Sequence, residues 1–365
     1  MRYSTPLSYN PIDVARITEV LNRYEGIHHN QIVTDFESAI GKVTGSIHAV
    51  ALNSGTAAIH LALKVLGIGV GDYVLAPSFT YIATINPILY LGAHPVLIDS
   101  ETTTWNMDPH LVEEALEVLK KEGKRPKAMV VVHTYGMPSQ LNQLLAIARK
   151  EGISVVEDAA ESLGSTYQRK MVGTFGDVGI FSFNNNKVVT TYGGGILLTE
   201  RPELAEKARF LATQSRENLP YYHHSEVGYN YAMGPLNAAQ GLSQLIDLQD
   251  NVTKRRLIFE RYRIKLEGYV HGQQCELPDM YSNRWFSCFL FKDEATKGKI
   301  ANVLGSRGIE TRPLWNPMHR QPLLINARYF GSREAELLFN RGLCLPSGHN
   351  LTEDKIDEIV QVITQ

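Results

Sequence analysis

The sequence of 365 residues predicts an α/β protein in which a large domain, residues 1–249, precedes a small α+β domain, residues 250–365. Short apolar runs alternate with longer helix-like segments over some 150 residues, a pattern typical of a mostly parallel sheet flanked by helices. Near residue 250 a long charged helix is followed by a strand-like alternation at residues 284–291. This change predicts a second, smaller unit.

The strands of the large domain are predicted from apolar runs that turn residues interrupt. The first four lie at Ile47–Leu52, Asp72–Ala76, His94–Ile98 and Ala128–Val132. A helix that Asp108 caps is predicted after the third of these strands. Other helices are predicted at 81–91, 140–150, 202–214, 236–262 and 296–307, and from Thr352 to the end of the chain.

Two further apolar runs end in chemically reactive side chains. Ile153–Val156 is followed by Glu157 and Asp158, and Val178–Phe183 is followed by a polar segment that contains Lys187. The carboxyl ends of neighbouring parallel strands meet at one edge of a sheet, where active sites are commonly found. We therefore expect the Asp158 carboxylate and the Lys187 amine to lie close together.

A carboxylate and an amine at one sheet edge meet the requirements of pyridoxal phosphate (PLP) chemistry. The carboxylate keeps the pyridine nitrogen protonated, and the lysine amine forms a Schiff base with the aldehyde. Glu161, one helical turn after Asp158, would face the same site and could contact the oxygen substituent of the ring. The residues alone leave simpler interpretations open, since Asp158 could cap a helix and Lys187 could be a solvated surface charge.

The segment Ser54–Ala58 follows a predicted strand and opens a predicted helix. The first N–H groups of a helix have no partner within it, and the helix dipole is positive there, so this position favours a phosphate group. The simpler interpretation is that Ser54 is an ordinary N-cap and Gly55 a turn residue.

The segment around Lys187 resembles the DegT/DnrJ/EryC1/StrS family of sugar aminotransferases, which are fold-type I PLP enzymes. The family segment E-D-A-A-[EQ] is matched by Glu157–Glu161, and the F-S-F segment before the Schiff-base lysine is matched by Phe181–Phe183. The resemblance covers almost the whole chain and is strongest to members that act on nucleotide-linked 4-keto-6-deoxy sugars. Asn185 stands where many of these have glycine, and asparagine tolerates left-handed turn geometry better than most residues.

The resemblance implies a role for each matched residue. It implies catalysis by Lys187 and cofactor binding by Gly55, Thr56, Ala57, Tyr81, Asp158, Glu161, Ser182 and Lys187. It also implies that Asn230, in the loop Gly228–Tyr231, contacts the cofactor phosphate of the neighbouring subunit in a homodimer with shared active sites. Arg216 and His319 are assigned to substrate binding, and no metal is expected.

The predicted function is that of a PLP-dependent aminotransferase that converts a nucleotide-linked 4-keto-6-deoxy sugar to the amino sugar, with L-glutamate as the amino donor. Two alternatives share the fold: a PLP-dependent sugar dehydratase, which has histidine in place of the lysine, and a non-catalytic sugar-binding or regulatory protein. Lys187 argues against the dehydratase, and the presence of both Lys187 and Asp158 argues against the non-catalytic protein. A nicotinamide-dependent dehydrogenase is a third alternative, but the first strand is not followed by the required glycine-rich turn.

The composition limits the binding partners and the cellular compartment that we expect for this protein. A net charge of -2 gives no electrostatic basis for binding nucleic acid or a membrane surface. The three cysteines form no metal-binding pattern, and their sparse use fits a reducing compartment. The N-terminal residues lack the apolar core of a signal peptide, so we expect a cytoplasmic protein.

Overall fold

The computed structural model describes residues 4–8, 12–28 and 30–365 of the chain. The strands are β1 (His48–Leu52), β2 (Tyr73–Pro77), β3 (His94–Ile98), β4 (Pro126–Val132), β5 (Ser154–Asp158), β6 (Thr166–Tyr167), β7 (Lys170–Met171), β8 (Val178–Ser182), β9 (Gly195–Thr199), β10 (Gly272–Gln273), β11 (Met280–Tyr281), β12 (Ser287–Leu290), β13 (Arg312–Pro313), β14 (Arg328–Phe330) and β15 (Gly342–Leu345).

Within the described residues, eight strands form a central sheet in the order β1-β9-β8-β5-β4-β2-β3-β14. All neighbouring pairs from β8 to β14 are parallel, whereas β9 runs antiparallel to both β1 and β8. Successive residues of a strand point to opposite faces, so Met129 and Val131 of β4 pack into one apolar cluster while Val130 and Val132 pack into another. The prediction of a mostly parallel sheet buried on both faces is confirmed.

Helices cover the central sheet and the small C-terminal sheet. They are α1 (Val14–Asn22), α2 (Asn30–Thr44), α3 (Gly55–Val65), α4 (Asn86–Tyr90), α5 (Pro109–Lys121), α6 (Leu141–Glu151), α7 (Pro202–Ala212), α8 (Pro235–Leu245), α9 (Leu248–Lys265), α10 (Glu294–Ser306), α11 (Glu334–Arg341) and α12 (Glu353–Thr364). The predicted caps are confirmed: the Asp108 side chain accepts from the His110 N–H, and the Thr352 side chain accepts from the Lys355 N–H.

Two helix predictions are wrong in detail. The segment 81–91 forms a short 3₁₀ helix, Ile82–Thr84, followed by α4, because Pro87 has no N–H with which to continue a single helix. The helix predicted at 236–262 is divided into α8 and α9. Asp247 lies at the break and its side chain forms an ion pair with Arg16 of α1.

The region after residue 250 contains a second sheet, with the strand order β10-β12-β15-β13. This sheet packs on α9, α10 and α12 through its own apolar cluster. The same region also returns β14 to the edge of the central sheet, where it pairs in parallel with β3. The boundary at residue 249 stays a prediction. Within the described part of the chain, no helix is both long and apolar enough to cross a membrane.

Candidate active site

Strand register brings the predicted site residues to one edge of the central sheet. Leu52, the last residue of β1, pairs with Gly195, which in turn pairs with Ser182 at the end of β8. Asp158, the last residue of β5, pairs with Ile180 of the same β8. These strand ends border a cavity of about 790 Å³.

Asp158 is buried at the edge of this cavity. Its Oδ2 accepts a hydrogen bond from Thr84 Oγ1 at 2.7 Å, and its Oδ1 accepts one from the Ala160 N–H at 3.2 Å. Removal from water raises the pKa of this carboxyl group, whereas the hydrogen bond from Thr84 acts in the opposite direction. A buried carboxylate of this kind is suited to a cationic partner within the cavity.

Glu161 and Lys187 face each other in the same cavity. The Lys187 Nζ donates to Glu161 Oε1 at 3.2 Å, and the other carboxylate oxygen accepts from the Tyr135 N–H at 2.9 Å. Burial raises the pKa of Glu161 to about 7. The Lys187 Nζ also lies 4.0 Å from the centre of the Trp285 ring, which places a cation–π contact on its other side.

The start of α3 lies against the end of β8 in the wall of the cavity. The Ser54 side chain caps this helix by accepting from the Ala57 N–H at 3.1 Å. A Cβ on Gly55 would lie 2.9 Å from the Ser182 Cβ, so only glycine leaves this approach open. Ser54, Gly55, Thr56 and Ser182 line the cavity, whereas Ala57 contributes the capped N–H behind it.

Tyr81, which is also predicted to bind the cofactor, lines the cavity as well. It directly precedes the short helix Ile82–Thr84, and its side chain is 58% exposed. Its ring centre is 6.5 Å from that of Trp315. A planar cofactor ring in this cavity would therefore find an accessible aromatic face.

These observations test whether the cavity fits PLP. It combines a lysine amine, a buried carboxylate, an aromatic face and a helix start kept open by a glycine. Each group corresponds to one part of the cofactor: the aldehyde, the pyridine nitrogen, the ring and the phosphate. The residues that are present fit the group.

Sequence reasoning missed several residues that line the cavity. They are Leu7, Ser8, Thr84, Tyr192, Trp285, Phe286, Glu310, Arg312 and Trp315. The Trp285 Nε1–H donates to the Asn186 carbonyl at 2.8 Å and thereby ties the lysine segment to the C-terminal region. In the sequence Trp285 gave no signal beyond strand-like alternation. In the segment after β8, Tyr192 has a positive φ of 59°, whereas Asn185 does not take the left-handed conformation.

The two residues that are predicted to bind substrate, Arg216 and His319, do not line this cavity. Arg216 is exposed and lies over the Tyr222 ring, 4.6 Å from its centre. The His319 ring is held by Ser78 Oγ at 2.7 Å and by Glu336 Oε1 at 3.2 Å. Because both nitrogens are used in this way, His319 braces the turn after β2 in this structure, and substrate binding by Arg216 and His319 stays a prediction.

Asn230 also lies outside the cavity of its own chain, with its side chain exposed. Its loop is anchored by backbone hydrogen bonds to the end of β1: the Asn53 N–H donates to the Tyr231 carbonyl at 2.7 Å, and the Met233 N–H to the Ala51 carbonyl at 3.3 Å. The Tyr229 and Tyr231 rings stack beneath it at 4.9 Å. The loop is thus held in place by backbone contacts with the end of β1.

The chain is similar to known proteins over almost its whole length. The model of the DegT/DnrJ/EryC1/StrS aminotransferase family matches residues 10–364. EpsN of Bacillus subtilis (strain 168), which is classed as a pyridoxal phosphate-dependent aminotransferase, is 45% identical over 91% of this chain and 87% of its own length. The GDP-perosamine synthase of Escherichia coli O157:H7 is 34% identical over 91% of this chain and 89% of its own length. A crystal structure of a DegT DnrJ EryC1 StrS aminotransferase from Brucella abortus superimposes with a TM-score of 0.89 at 30% identity, covering 96% of this chain and 95% of that chain.

Proposed function

The chain belongs to the DegT/DnrJ/EryC1/StrS aminotransferase family, and we propose that it transfers the amino group of L-glutamate to a nucleotide-linked 4-keto-6-deoxy sugar. It is a PLP-dependent sugar aminotransferase. The similarity to GDP-perosamine synthases supports a nucleotide-linked substrate. The observation that carries the assignment is the meeting of Lys187 with Asp158 and Glu161, from two separate segments, in one cavity.

We assign the parts of the cofactor to the residues that fit them. Bound PLP supplies an aldehyde that captures amines and a protonated ring that stabilises negative charge on the adjacent carbon. Gly55, Thr56 and Ser182 would hold its phosphate, Tyr81 would lie against its ring, and Asp158 would pair with the ring nitrogen.

Lys187 moves the proton during transfer, taking it from the carbon of the amino donor and returning it to the carbon of the sugar. This role needs an amine that is neutral for part of the cycle. Glu161 Oε1 lies 3.2 Å from the Lys187 Nζ and accepts a hydrogen bond from it, and burial raises the pKa of this carboxyl group to about 7. The Trp285 ring, whose centre lies 4.0 Å from Nζ, is a second contact that orients the amine.

The amino donor brings a carboxylate into the cavity, and Arg312 is suited to receive it. Lys187 and Arg312 are the cationic side chains among the described residues that line the cavity. Glu310 Oε1 accepts from the Arg312 Nε at 3.0 Å and from Nη2 at 2.8 Å, which leaves the guanidinium group with further N–H donors.

Replacing Arg312 with glutamine should raise the KM for L-glutamate by roughly tenfold or more, because a charge-assisted hydrogen bond to the donor is lost. Steady-state kinetics with varied donor concentration would measure this. Arg307→Gln, at the end of α10 and away from the cavity, is the matched control. An unchanged KM in Arg312→Gln would show that the donor carboxylate is bound elsewhere.

The alternative of a sugar dehydratase is disfavoured by Lys187, since the resemblance assigns histidine to this position in the dehydratases. A non-catalytic sugar-binding role is disfavoured by the buried Asp158, which a binding protein without cofactor would gain nothing by retaining.

The donor half of the reaction tests this function directly. The protein reconstituted with PLP should absorb visible light, and L-glutamate without any sugar should abolish that absorption. A nucleotide-linked 4-keto-6-deoxy sugar should then restore it. Absorption that no amino acid alters would contradict the proposed transfer.

We propose a homodimer because the resemblance assigns Asn230 to the cofactor phosphate of the neighbouring subunit, and the position of Asn230 outside the cavity of its own chain is compatible with that role. Mixing Lys187→Ala subunits with Asn230→Asp subunits, each inactive alone, should restore activity toward half of wild type per mixed dimer. In a mixed dimer one site has both defects, while the other combines an intact Lys187 with an intact Asn230. Subunit exchange is verified by mass spectrometry. Confirmed exchange without recovered activity would show that Asn230 does not act across the interface.

A further inference from the structure

Beside Asp158, in the wall of the cavity, lies a pair of buried threonines. Thr84 and Thr80 are each only 1% exposed. Their hydroxyl oxygens are 2.7 Å apart, and Thr84 Oγ1 lies 2.7 Å from Asp158 Oδ2. Thr80, Thr84 and Asp158 therefore form one continuous chain of hydrogen bonds.

Which group donates in each of these hydrogen bonds follows from the hydrogens that each side chain carries. An ionised carboxylate only accepts hydrogen bonds, so the single hydrogen of the Thr84 hydroxyl is donated to Asp158. The Thr84 oxygen must then accept from Thr80, which supplies the hydrogen between the two threonines. Hydrogen bonds linked in series strengthen one another in a buried environment.

We propose that Thr84, supported by Thr80, is a positioning residue that holds the Asp158 carboxylate ionised and correctly oriented toward the ring nitrogen of PLP. This inference rests on the proposed role of Asp158. Thr84 fixes Oδ2 while the Ala160 N–H fixes Oδ1, so both oxygens of the carboxylate have defined places. Neither threonine needs to touch the reacting carbon for this effect.

The buried position of Asp158 explains why its carboxylate needs the hydrogen bond from Thr84. Burial favours the neutral form of Asp158, and a neutral carboxyl group is a poor partner for a protonated pyridine. The hydrogen bond from Thr84 favours the ionised form. A hydrogen bond to an ionised group corresponds to roughly a 10- to 100-fold change in an equilibrium constant.

The local fold explains how Thr84 reaches this place. Pro77 ends β2, and the chain then passes through Thr80 and Tyr81 into the 3₁₀ helix that ends at Thr84. In the tight turn of a 3₁₀ helix, the Thr84 N–H donates to the Tyr81 carbonyl at 3.1 Å. This turn directs the Thr84 hydroxyl toward Asp158 while Tyr81 remains at the cavity.

The test measures cofactor binding rather than turnover alone. Apo-protein is titrated with PLP and with its 1-deaza analogue, in which a C–H group replaces the ring nitrogen. Thr84→Val should weaken PLP binding by roughly tenfold or more and leave binding of the deaza analogue within about twofold of wild type. Thr84→Ser, which keeps the hydroxyl, should restore PLP binding. Thr80→Val should show the same selectivity with a smaller loss, and it carries the test if Thr84→Val does not fold.

Three outcomes are distinguishable. Loss of PLP affinity alone supports the inference, and equal losses for PLP and its deaza analogue would overturn it, because a general structural defect affects both. Unchanged PLP binding in Thr84→Val would also overturn it. Asp158→Asn is measured in parallel, because it tests the proposed role of Asp158 separately from the inference about Thr84. If this variant also fails to lose more affinity for PLP than for the deaza analogue, the assigned role of Asp158 fails as well.

Discussion

Replacing Lys187 with alanine is expected to abolish amino transfer, with turnover lowered by more than about ten-thousandfold. The amine is the group that anchors the cofactor and moves the proton, and no second lysine lines the described part of the cavity. PLP should still bind, because Gly55, Thr56, Ser182 and Asp158 remain. Product formation is measured by chromatography, and bound cofactor by its absorbance.

The matched control is Lys64→Ala, which removes an exposed lysine in the last turn of α3. This variant should retain wild-type turnover, since Lys64 does not line the cavity. Turnover of Lys187→Ala within about tenfold of wild type would refute the assignment of Lys187.

Replacing Asp158 with asparagine should lower turnover by at least about a thousandfold, or about 4 kcal/mol of activation free energy. The change preserves shape but removes the negative charge that stabilises a protonated ring nitrogen. Circular dichroism and thermal unfolding would establish that the fold is intact before rates are compared. Activity within about tenfold of wild type would mean that Asp158 only caps the segment after β5, through the Ala160 N–H.

The sequence alone was sufficient to predict the edge of the sheet at which the site lies. Asp158 and Lys187 follow short apolar runs, and because parallel strands end at a common edge, their proximity did not require knowledge of side-chain contacts. The resemblance then distinguished Asp158 from Glu157. The structure shows the physical difference, since Glu157 faces His133 and the N–H groups of Gly173 and Gly176, where it serves the fold.

The contribution of the C-terminal region could not be predicted in the same way. Trp285 contacts Lys187 although the two are 98 positions apart in the sequence. Trp315 and Arg312 belong to a segment that forms only a short strand and a loop. The contact of Thr84 with Asp158 likewise joins residues 74 positions apart. Such contacts depend on tertiary packing, for which local periodicity carries no information.

The orientation of His319 could not be predicted from the sequence either. The resemblance assigns it to substrate binding, which stays a prediction, and its ring lies between Ser78 and Glu336 and stacks on Tyr329 at 4.0 Å. A sequence motif records which residue is present near a site without recording which way its side chain points. The structure gives that orientation through the hydrogen-bond partners.

The most direct measurement of the proposed function follows the transferred nitrogen itself. The PLP-loaded protein is incubated with ¹⁵N-labelled L-glutamate and a nucleotide-linked 4-keto-6-deoxy sugar, and the sugar product is analysed by mass spectrometry. We expect a nucleotide-linked amino sugar that carries the ¹⁵N label, together with an equal amount of 2-oxoglutarate, and neither product with Lys187→Ala. A sugar product without nitrogen, or consumption of glutamate without a labelled sugar for any of the GDP-, dTDP- and UDP-linked substrates, would contradict it.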